Sequence, residues 1–533
     1  MVRGVFYATV LPLWEGYDEY SHFACVQYVS VHGSIPIPGI SRISREVSAS
    51  LGSTPLPWTL KDLVPGAIRY DDFWSLPPHL REARIAALGK AADPALREED
   101  PRGEKLYESQ QPPLYYWLMA PILGMAENWS LAARVLLLRS VSLLLASLAL
   151  PLGFALARRV FGSAPLAICA AAAVVCMPEG MIDLARVGNE SLALLLYTLL
   201  TYACVRMIDE GPNARNSLLI GAALGCGLLT KAYFLTAIPA VCVGFALALR
   251  RAGGTWRRTA ALLGVSLSMA ILASFWWYRF IHQVTGDFTG QIQSVAVVGF
   301  PWQERLRVAW RLNWLAALDT AMLSHIWFGG WSFLQVRSWI YHLFYAVGLV
   351  SAAGVMVLLL RRRGLAPAAG RTSLFMLALL EACFCASLAY QVTLAQIVYG
   401  KPMTNGWYLY CLVFAEIVLV CAGLMALLPR RRRIWAPVGL VGLFVALDVY
   451  GMNFILIPYY LGLIGHSAAG RLQTFHVSQF WQAGLPEISS RLLLNRPYLT
   501  APAEFAALWV LYLAATLTCL VVAFMQARRG ADS

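Results

Sequence analysis

An acidic pair, Asp18 and Glu19, is the first feature of the chain whose residue types could do chemistry, and it follows a short apolar segment, Val5–Leu13. Aromatic side chains flank the pair, among them Trp14 and Tyr17. An apolar pocket penalises an ionised carboxylate and can therefore tune it as a general base. If the apolar segment ends a membrane helix, such a base could deprotonate an acceptor hydroxyl just outside the bilayer. The alternative is a solvated pair of loop acids that only helps to orient the first helix.

The stretch 108–116, ESQQPPLYY, is a second candidate for a binding site. The side-chain amides of Gln110 and Gln111 could hydrogen-bond a sugar, with Glu108 and Tyr115 close by in the sequence. The alternative is a helix with a polar lead-in, because Pro suits the first helical turn. Both interpretations stay open at this point.

Three cations outside the Arg runs are further candidates. Arg186 lies on a short predicted outer loop and could bind a phosphate through two parallel hydrogen bonds. Lys231 lies between two apolar runs, where an ionisable residue is costly and usually functional. It could contact a lipid phosphate or simply extend to the membrane surface. Lys401 precedes Trp407–Tyr408 and could serve a sugar or a phosphate, although anchoring at the membrane interface explains it equally well.

The composition is that of an integral membrane protein, because 59% of the 533 residues are hydrophobic and only 13% are charged, about half the usual charged fraction. The net charge of +13 comes mainly from short Arg runs between apolar stretches, such as Arg361 to Arg363. Such runs indicate cytoplasmic loops and not a nucleic-acid partner. They predict a membrane protein with both termini in the cytoplasm.

An all-α, polytopic bundle of about twelve transmembrane helices is predicted from the apolar stretches. The predicted spans are 5–13, 134–157, 162–178, 190–207, 215–230, 232–249, 259–281, 339–360, 372–398, 407–428, 434–456 and 503–526. The first is so short that it predicts either a tilted helix or one whose start lies upstream.

One domain, 1–533, is predicted, with three large loops on the outer face, 14–133, 282–338 and 457–502. Two stretches of the first loop, Tyr17–Val31 and Pro112–Met125, predict interfacial helices. No nucleotide-binding, zinc-protease or serine-hydrolase motif is present in the sequence. The 11 Cys residues form no CxxC pair and are interpreted as membrane-packing residues.

The order of the motifs resembles the GT-C superfamily, the membrane glycosyltransferases that use polyprenyl-phosphate-linked sugars. Protein O-mannosyltransferases and lipid A aminoarabinose transferases are its better-known members. The acidic pair is followed by ESQQPPLYYWL, ARVGNESLALLLYTLL and GLLTKAYFLTAIP. The resemblance covers about residues 1–250, and the later half is similar only in general layout.

This resemblance implies that Asp18 is the catalytic base and that Glu19 is a second acid or a metal contact. It also implies that Arg186 and Lys231 contact the donor phosphate. The reaction would be a direct displacement at the anomeric carbon, with inversion and with polyprenyl phosphate leaving. The pair Trp407–Tyr408 departs from the family, whose members often have Arg-Tyr at the start of a late helix.

Two other classes of protein stay open on the sequence alone. A transporter or flippase of lipid-linked sugars would be expected to show two related halves and broken helices at mid-membrane depth, which the sequence does not show. A ligase that moves a preassembled glycan would use the same outer acids and cations. The expected partners are a polyprenyl-phosphate-linked sugar, membrane lipids and an unidentified acceptor. No cofactor is specified by the sequence, and participation of a divalent metal, Mg²⁺ or Mn²⁺, is left open.

Overall fold

Helices make up almost all of the regular structure. The computed structural model describes residues 1–60, 63–90, 93–360, 368–494, 496 and 498–532. In these ranges the strands form one short parallel pair, Pro55–Leu56 with Ile68–Arg69. The protein is therefore an all-α polytopic membrane protein, as the sequence predicts.

Nine helices in the described ranges are long and apolar enough to cross a membrane, or ten if a bent pair counts as one span. The bent pair is Ala164–Cys176 and Pro178–Leu184, whose axes differ by 64°. Its break falls at Pro178, which lacks the N–H that would continue the first helix. The nine spans are Leu131–Phe161, Glu190–Glu210, Ala232–Ala252, Trp256–Thr285, Ser338–Leu360, Gly370–Tyr399, Gly406–Ala426, Trp435–Tyr460 and Pro502–Arg529.

Two of the twelve predicted spans are too short to cross a membrane as straight helices. Val2–Val10 has nine residues and ends where Leu11 turns extended. Ala214–Leu228 has 15 residues and ends in a turn, in which Lys231 N donates to Gly227 O at 2.8 Å. A span needs about 20 helical residues, so length and composition support nine or ten spans and not twelve.

Several spans consist of successive helical pieces. They are Leu131–Ser147 with Ala149–Phe161, the 3₁₀ turn Ala232–Thr236 with Ala237–Ala252, the 3₁₀ turn Gly406–Leu412 with Val413–Ala426, and Trp435–Gly451 with the π-helical Met452–Leu456 and Ile457–Tyr460. Two spans belong to helices with slightly wider bounds, Ala368–Tyr399 and Pro502–Asp532.

The predicted outer loops contain shorter helices. Glu19–His32 and Leu114–Met125 correspond to the two predicted interfacial helices and pack against each other; their position at a membrane surface stays a prediction. The remaining α-helices are Arg45–Ser53, Tyr70–Phe73, Pro78–Lys90, Ile292–Ala296, Trp302–Arg311, Trp314–Ile326, Val477–Ala483 and Leu485–Leu494, and the remaining 3₁₀ turns are Trp58–Leu60, Pro94–Arg97, Tyr107–Gln110 and Arg430–Arg432.

The first helix is buried against the last one. Arg3 forms an ion pair with Asp448 (Nη2–Oδ2, 2.8 Å), and Tyr512 donates a hydrogen bond to the same carboxylate at 2.7 Å. The ring of Phe6 stacks on Tyr512 with a centroid distance of 4.5 Å. The start of the chain therefore has a defined position, although it is too short to span a membrane alone.

The predicted orientation, with both termini in the cytoplasm, stays a prediction, as does the division into loops 14–133, 282–338 and 457–502. One Arg run used for that prediction, Arg361 to Arg363, lies outside the described residues.

Candidate active site

A cavity of about 190 Å³ brings together five of the residues predicted from the sequence. They are Asp18, Glu108, Gln111, Arg186 and Lys231. Aromatic side chains form much of the remaining wall, namely Tyr17, Tyr107, Tyr233, Trp407 and Tyr408. Carboxylates, cations and ring faces thus line a single space.

Asp18 enters the cavity from a strained turn. It is the N-cap of helix Glu19–His32 and has φ 53° and ψ 20°, in the left-handed region. Its backbone oxygen accepts hydrogen bonds from Ser21 N and His22 N, both at 3.0 Å. A non-glycine residue in this region is uncommon and costs free energy, and such residues are often found at functional sites.

The surroundings of Asp18 set its pKa near the pH at which a general base works best. Burial is the largest influence and raises the pKa; the positive charges of Arg186 and Lys231 lower it, and the nearby Glu190 raises it. The resulting pKa is about 6. Asp18 is therefore ionised at neutral pH and basic enough to accept a proton.

Glu19, its neighbour in the sequence, lies outside this cavity. Its carboxylate pairs with Arg139 through two parallel contacts, Nε–Oε1 at 2.7 Å and Nη2–Oε2 at 2.6 Å. It also accepts a hydrogen bond from Val187 N at 2.9 Å. Both side chains of the pair are fully buried. Glu19 therefore connects three segments of the chain and positions Asp18 and the loop that carries Arg186.

Arg186 is held rigidly beside the cavity. Its Nε and Nη2 atoms donate to Asp183 Oδ1 at 3.1 and 2.8 Å, and Nη1 donates to Tyr17 O. Two glycines make this approach possible. A Cβ atom on Gly16 would lie 2.6 Å from Arg186 Cβ, and one on Gly188 would lie 2.4 Å from its Nη1. Larger residues at these two positions would displace the guanidinium group.

Lys231 and Glu190 form the second charged pair of the cavity. Their Nζ–Oε1 distance is 2.6 Å, and Arg186 Nη2 lies 3.8 Å from the same carboxylate oxygen. The other oxygen, Glu190 Oε2, is buried and has no hydrogen-bond partner within the described part of the chain. One carboxylate thus orients both cations towards the same space.

Glu108 is the third acid that faces the cavity, after Asp18 and Glu190. It lies in the 3₁₀ turn Tyr107–Gln110, and its backbone N–H donates to Ser21 Oγ at 3.0 Å. Its pKa is raised to about 8, chiefly by burial and then by the charge of Asp18, with Lys231 acting in the opposite direction. Glu108 is therefore mostly protonated at neutral pH and adds no full negative charge beside Asp18.

Two other predicted site residues do not reach the cavity. Tyr115 is buried behind it, where its hydroxyl bonds Ser142 Oγ at 2.8 Å and accepts a hydrogen bond from Gly188 N at 3.0 Å. It thus supports the loop of Arg186 from behind. Lys401 is exposed and is not part of the cavity wall.

The sequence did not identify which residues of the second outer loop reach the cavity, nor the isolated acids that support it. Residues 291–294 and Gln391 form part of the wall. Trp407, noted as a departure from the family, stacks on Tyr17 with a centroid distance of 3.9 Å and an angle of 14°. The run QIQS at 291–294, which directly precedes the apolar residues VAVVGF, is a signal that could have pointed to these positions.

Two buried carboxylates, Glu15 and Glu179, hold the segment 328–332 over Tyr17. Glu179 Oε2 accepts hydrogen bonds from the amides of residues 328 and 329 at 2.8 and 3.0 Å, and Glu15 Oε1 accepts one from Ser332 N at 2.9 Å. Tyr17 also donates its hydroxyl to Glu179. The ring of Trp331 meets that of Tyr17 edge-on at 5.3 Å. These acids position the aromatic wall.

In the part of the chain that the structure describes, no group of three or more His, Cys, Asp or Glu side chains could hold a metal ion. The participation of Mg²⁺ or Mn²⁺ therefore stays untested.

A protein family matches the region of the chain that supplies part of this cavity. Residues 110–278, about a third of the chain, match the family described as dolichyl-phosphate-mannose-protein mannosyltransferase. The matched region includes Gln111, Arg186 and Lys231. The match confirms the resemblance to the GT-C superfamily, and the class of enzyme is that of a glycosyltransferase using lipid-phosphate sugars.

The solved structures similar to this chain include two of ArnT from Cupriavidus metallidurans. The structure bound to undecaprenyl phosphate is 12% identical, with 99% of this chain and 74% of that chain covered and a TM-score of 0.46. The apo structure is 14% identical, with 95% and 75% covered and a TM-score of 0.42. No curated protein sequence matches the chain.

Proposed function

We propose that the enzyme transfers a sugar from a polyprenyl-phosphate donor to an acceptor hydroxyl on the outer face of a bacterial inner membrane, with inversion. The acceptor is a lipid, a glycan or a protein. The observation that carries the proposal is the convergence of Asp18, Arg186 and Lys231 on one cavity. A base and two cations are the groups that a displacement at a phosphate-linked anomeric carbon requires.

Asp18 is the general base of the proposed reaction. Its carboxylate accepts the proton of the acceptor hydroxyl while the hydroxyl oxygen forms a bond to the anomeric carbon. The bond between that carbon and the phosphate oxygen breaks at the same time, and its electron pair leaves with polyprenyl phosphate. Attack from the face opposite the leaving group inverts the anomeric centre.

The cations stabilise the leaving group. The donor is a phosphodiester with one negative charge, and the released phosphate monoester carries a second one. Arg186 and Lys231 both contact the same carboxylate oxygen of Glu190, so the two cations lie side by side. Positive groups fixed in place before the reaction stabilise charge that develops in the transition state without reorganising. The protonated Glu108 adds no further negative charge to the carboxylates of Asp183 and Glu190, which already pair with these cations.

Lys231→Gln is expected to raise the KM for the donor about 10- to 100-fold, because a charge-assisted hydrogen bond contributes about 1.5–3 kcal/mol. Initial rates over a range of donor concentrations measure the change. Lys401→Gln is the matched control, since it removes an exposed Lys outside the cavity. Equal donor KM values for the two variants would show that Lys231 does not bind the donor.

The pH dependence of kcat/KM is expected to be bell-shaped. Because the pKa of Asp18 is raised to about 6, the base is lost by protonation as the pH falls through 6, and the rate should then fall about tenfold per unit. Because the pKa of Glu108 is raised to about 8, this group ionises as the pH rises through 8 and opposes the donor's negative charge. A pH series with the wild type and Glu108→Gln measures both limbs, and only the alkaline limb should disappear in the variant. An acid limb that shifts instead would contradict the assignment to Asp18.

Release of polyprenyl phosphate tests the reaction itself. Purified protein in lipid nanodiscs is incubated with radiolabelled polyprenyl-phosphate sugars and a membrane extract that supplies acceptor. Formation of a labelled product together with free polyprenyl phosphate supports the transferase. Movement of intact donor between leaflets of proteoliposomes, with no release, would indicate a flippase, and transfer of a preassembled chain would indicate a ligase.

A further inference from the structure

A second cavity, of about 690 Å³, lies among the three predicted outer loops. Trp58 comes from loop 14–133, residues 333–338 come from loop 282–338, and residues 470–475 come from loop 457–502. None of its lining residues belongs to the wall of the cavity that contains Asp18. It is a separate site made of segments that the sequence places on the same face of the membrane.

Two cations of this second cavity are available to a ligand. Arg337 and Arg471 are both exposed, and among the described residues neither guanidinium group has an ion-pair partner. An Arg side chain offers a planar set of donors that matches a carboxylate or phosphate group. The cavity therefore fits an anionic group.

His466 adds a hydrogen-bond acceptor. Its Nδ1 atom lies 3.0 and 3.2 Å from the two carboxylate oxygens of Asp71, and Tyr459 donates to that carboxylate at 2.8 Å. Asp71 thereby fixes the proton on Nδ1 and leaves Nε2 as an acceptor. Only 2% of the His466 side chain is exposed, and Nε2 has no hydrogen-bond partner among the described residues. A buried polar atom without a partner calls for a further hydrogen-bonding group, which a ligand in the adjoining cavity would supply.

An aromatic surface lies beside these polar groups. The ring of Trp58 is 4.3 Å from that of His466, centroid to centroid, and the guanidinium group of Arg69 lies 4.3 Å from the Trp58 ring centroid. An acidic sugar would use this combination: Arg residues for its anionic group, an acceptor for a hydrogen bond from one of its hydroxyls, and an aromatic ring.

We propose that this cavity binds an acidic sugar unit of the acceptor, whose anionic group is a carboxylate or a phosphate. Arg337 and Arg471 bind the anion, and His466 Nε2 accepts a hydrogen bond from a sugar hydroxyl. This assignment rests on the proposed function, because it gives the acceptor a second binding point outside the transfer cavity.

Trp331 lies between the two cavities. Its ring contacts that of Tyr17, which lines the transfer cavity, at 5.3 Å and that of Phe333, which lines the second cavity, at 6.0 Å. Thr59 donates a hydrogen bond to Trp331 O at 3.1 Å. The second cavity is therefore next to the aromatic wall of the transfer cavity.

Equilibrium binding to the full-length protein in nanodiscs tests the proposal without requiring turnover. The probes are glucose 1-phosphate, glucuronate and glucose, of which only the first two are acidic. We expect the acidic probe that matches the natural anion to bind at least tenfold more tightly than glucose. Arg337→Gln and Arg471→Gln should each weaken that binding about tenfold, whereas Arg311→Gln, which changes an exposed Arg outside both cavities, should leave it unchanged. His466→Asn should weaken binding of acidic and neutral probes alike, since it removes Nε2.

The outcomes separate this proposal from the transferase itself. Equal binding of acidic and neutral probes, or wild-type binding in both Arg variants, would overturn the acidic-sugar site. Asp18→Asn should bind the acidic probe as the wild type does. If that variant also retained full transfer activity, the proposed base would be wrong while the second site would still stand on its binding data.

Discussion

Asp18→Asn is expected to lower kcat for sugar transfer by about 10³-fold, within the range of about 10² to 10⁴ that general-base catalysis supplies. The variant keeps the size of the side chain and removes only the group that accepts the proton. The donor KM should not rise, because loss of a negative charge beside Arg186 and Lys231 cannot weaken binding of an anionic donor. Single-turnover rates at saturating donor separate the two parameters.

The geometry of Asp18 makes this substitution a clean test. Asn tolerates the left-handed conformation of residue 18 better than most residues do, so the turn should be retained. The thermal unfolding midpoint of Asp18→Asn should therefore be close to that of the wild type. Unchanged kcat in a folded variant would exclude Asp18 as the base, and Glu108 would then be the next acid to test.

Glu19→Gln, unlike Asp18→Asn, is expected to destabilise the fold and to lower the free energy of unfolding by about 3–5 kcal/mol. The substitution leaves the Arg139 guanidinium buried with its charge uncompensated, although its hydrogen bonds to Ala8 O and Leu11 O, both 2.7 Å, remain. The thermal unfolding midpoint in nanodiscs, or the detergent concentration at which the protein unfolds, measures the loss.

The change from a carboxylate to an amide is thus expected to lower kcat at Asp18 and to lower stability at the adjacent Glu19. The double variant Glu19→Gln/Arg139→Met removes both charges and should be more stable than Glu19→Gln alone. A Glu19→Gln protein as stable as the wild type would contradict the structural role of the Glu19–Arg139 ion pair.

The sequence predicted several residues that the structure brings together in one cavity, but not the whole wall of that cavity. Asp18, Arg186 and Lys231 were identifiable because charged residues next to apolar stretches are costly and usually functional. Residue types alone could not separate Asp18 from Glu19, since both are acids in the same turn, and only the resemblance to the GT-C superfamily assigned the base to Asp18. Only the three-dimensional position of Arg139, 120 residues further on, decides which one is neutralised.

The fold was predictable at the level of class and not of helix count. Apolar composition identifies membrane helices well, but the ends of Val2–Val10 and Ala214–Leu228 depend on local turns that hydropathy does not report. The roles of Tyr115 and Lys401 were uncertain for a similar reason. The sequence around an aromatic residue or a cation near an apolar helix is the same whether the side chain faces a cavity, the protein interior or solvent.

The ion pair between Arg3 and Asp448 joins residues that are translated far apart in time, so it affects when the first segment of the nascent chain can fold. The segment that presents Asp18 is made before the groups that hold it, including Arg496, whose Nε donates to Val10 O at 2.7 Å. A nascent chain must therefore be translated beyond Arg496 before all of these contacts can form. Termination between Tyr408 and Asp448 would release a protein that has every residue of the cavity wall and lacks both contacts.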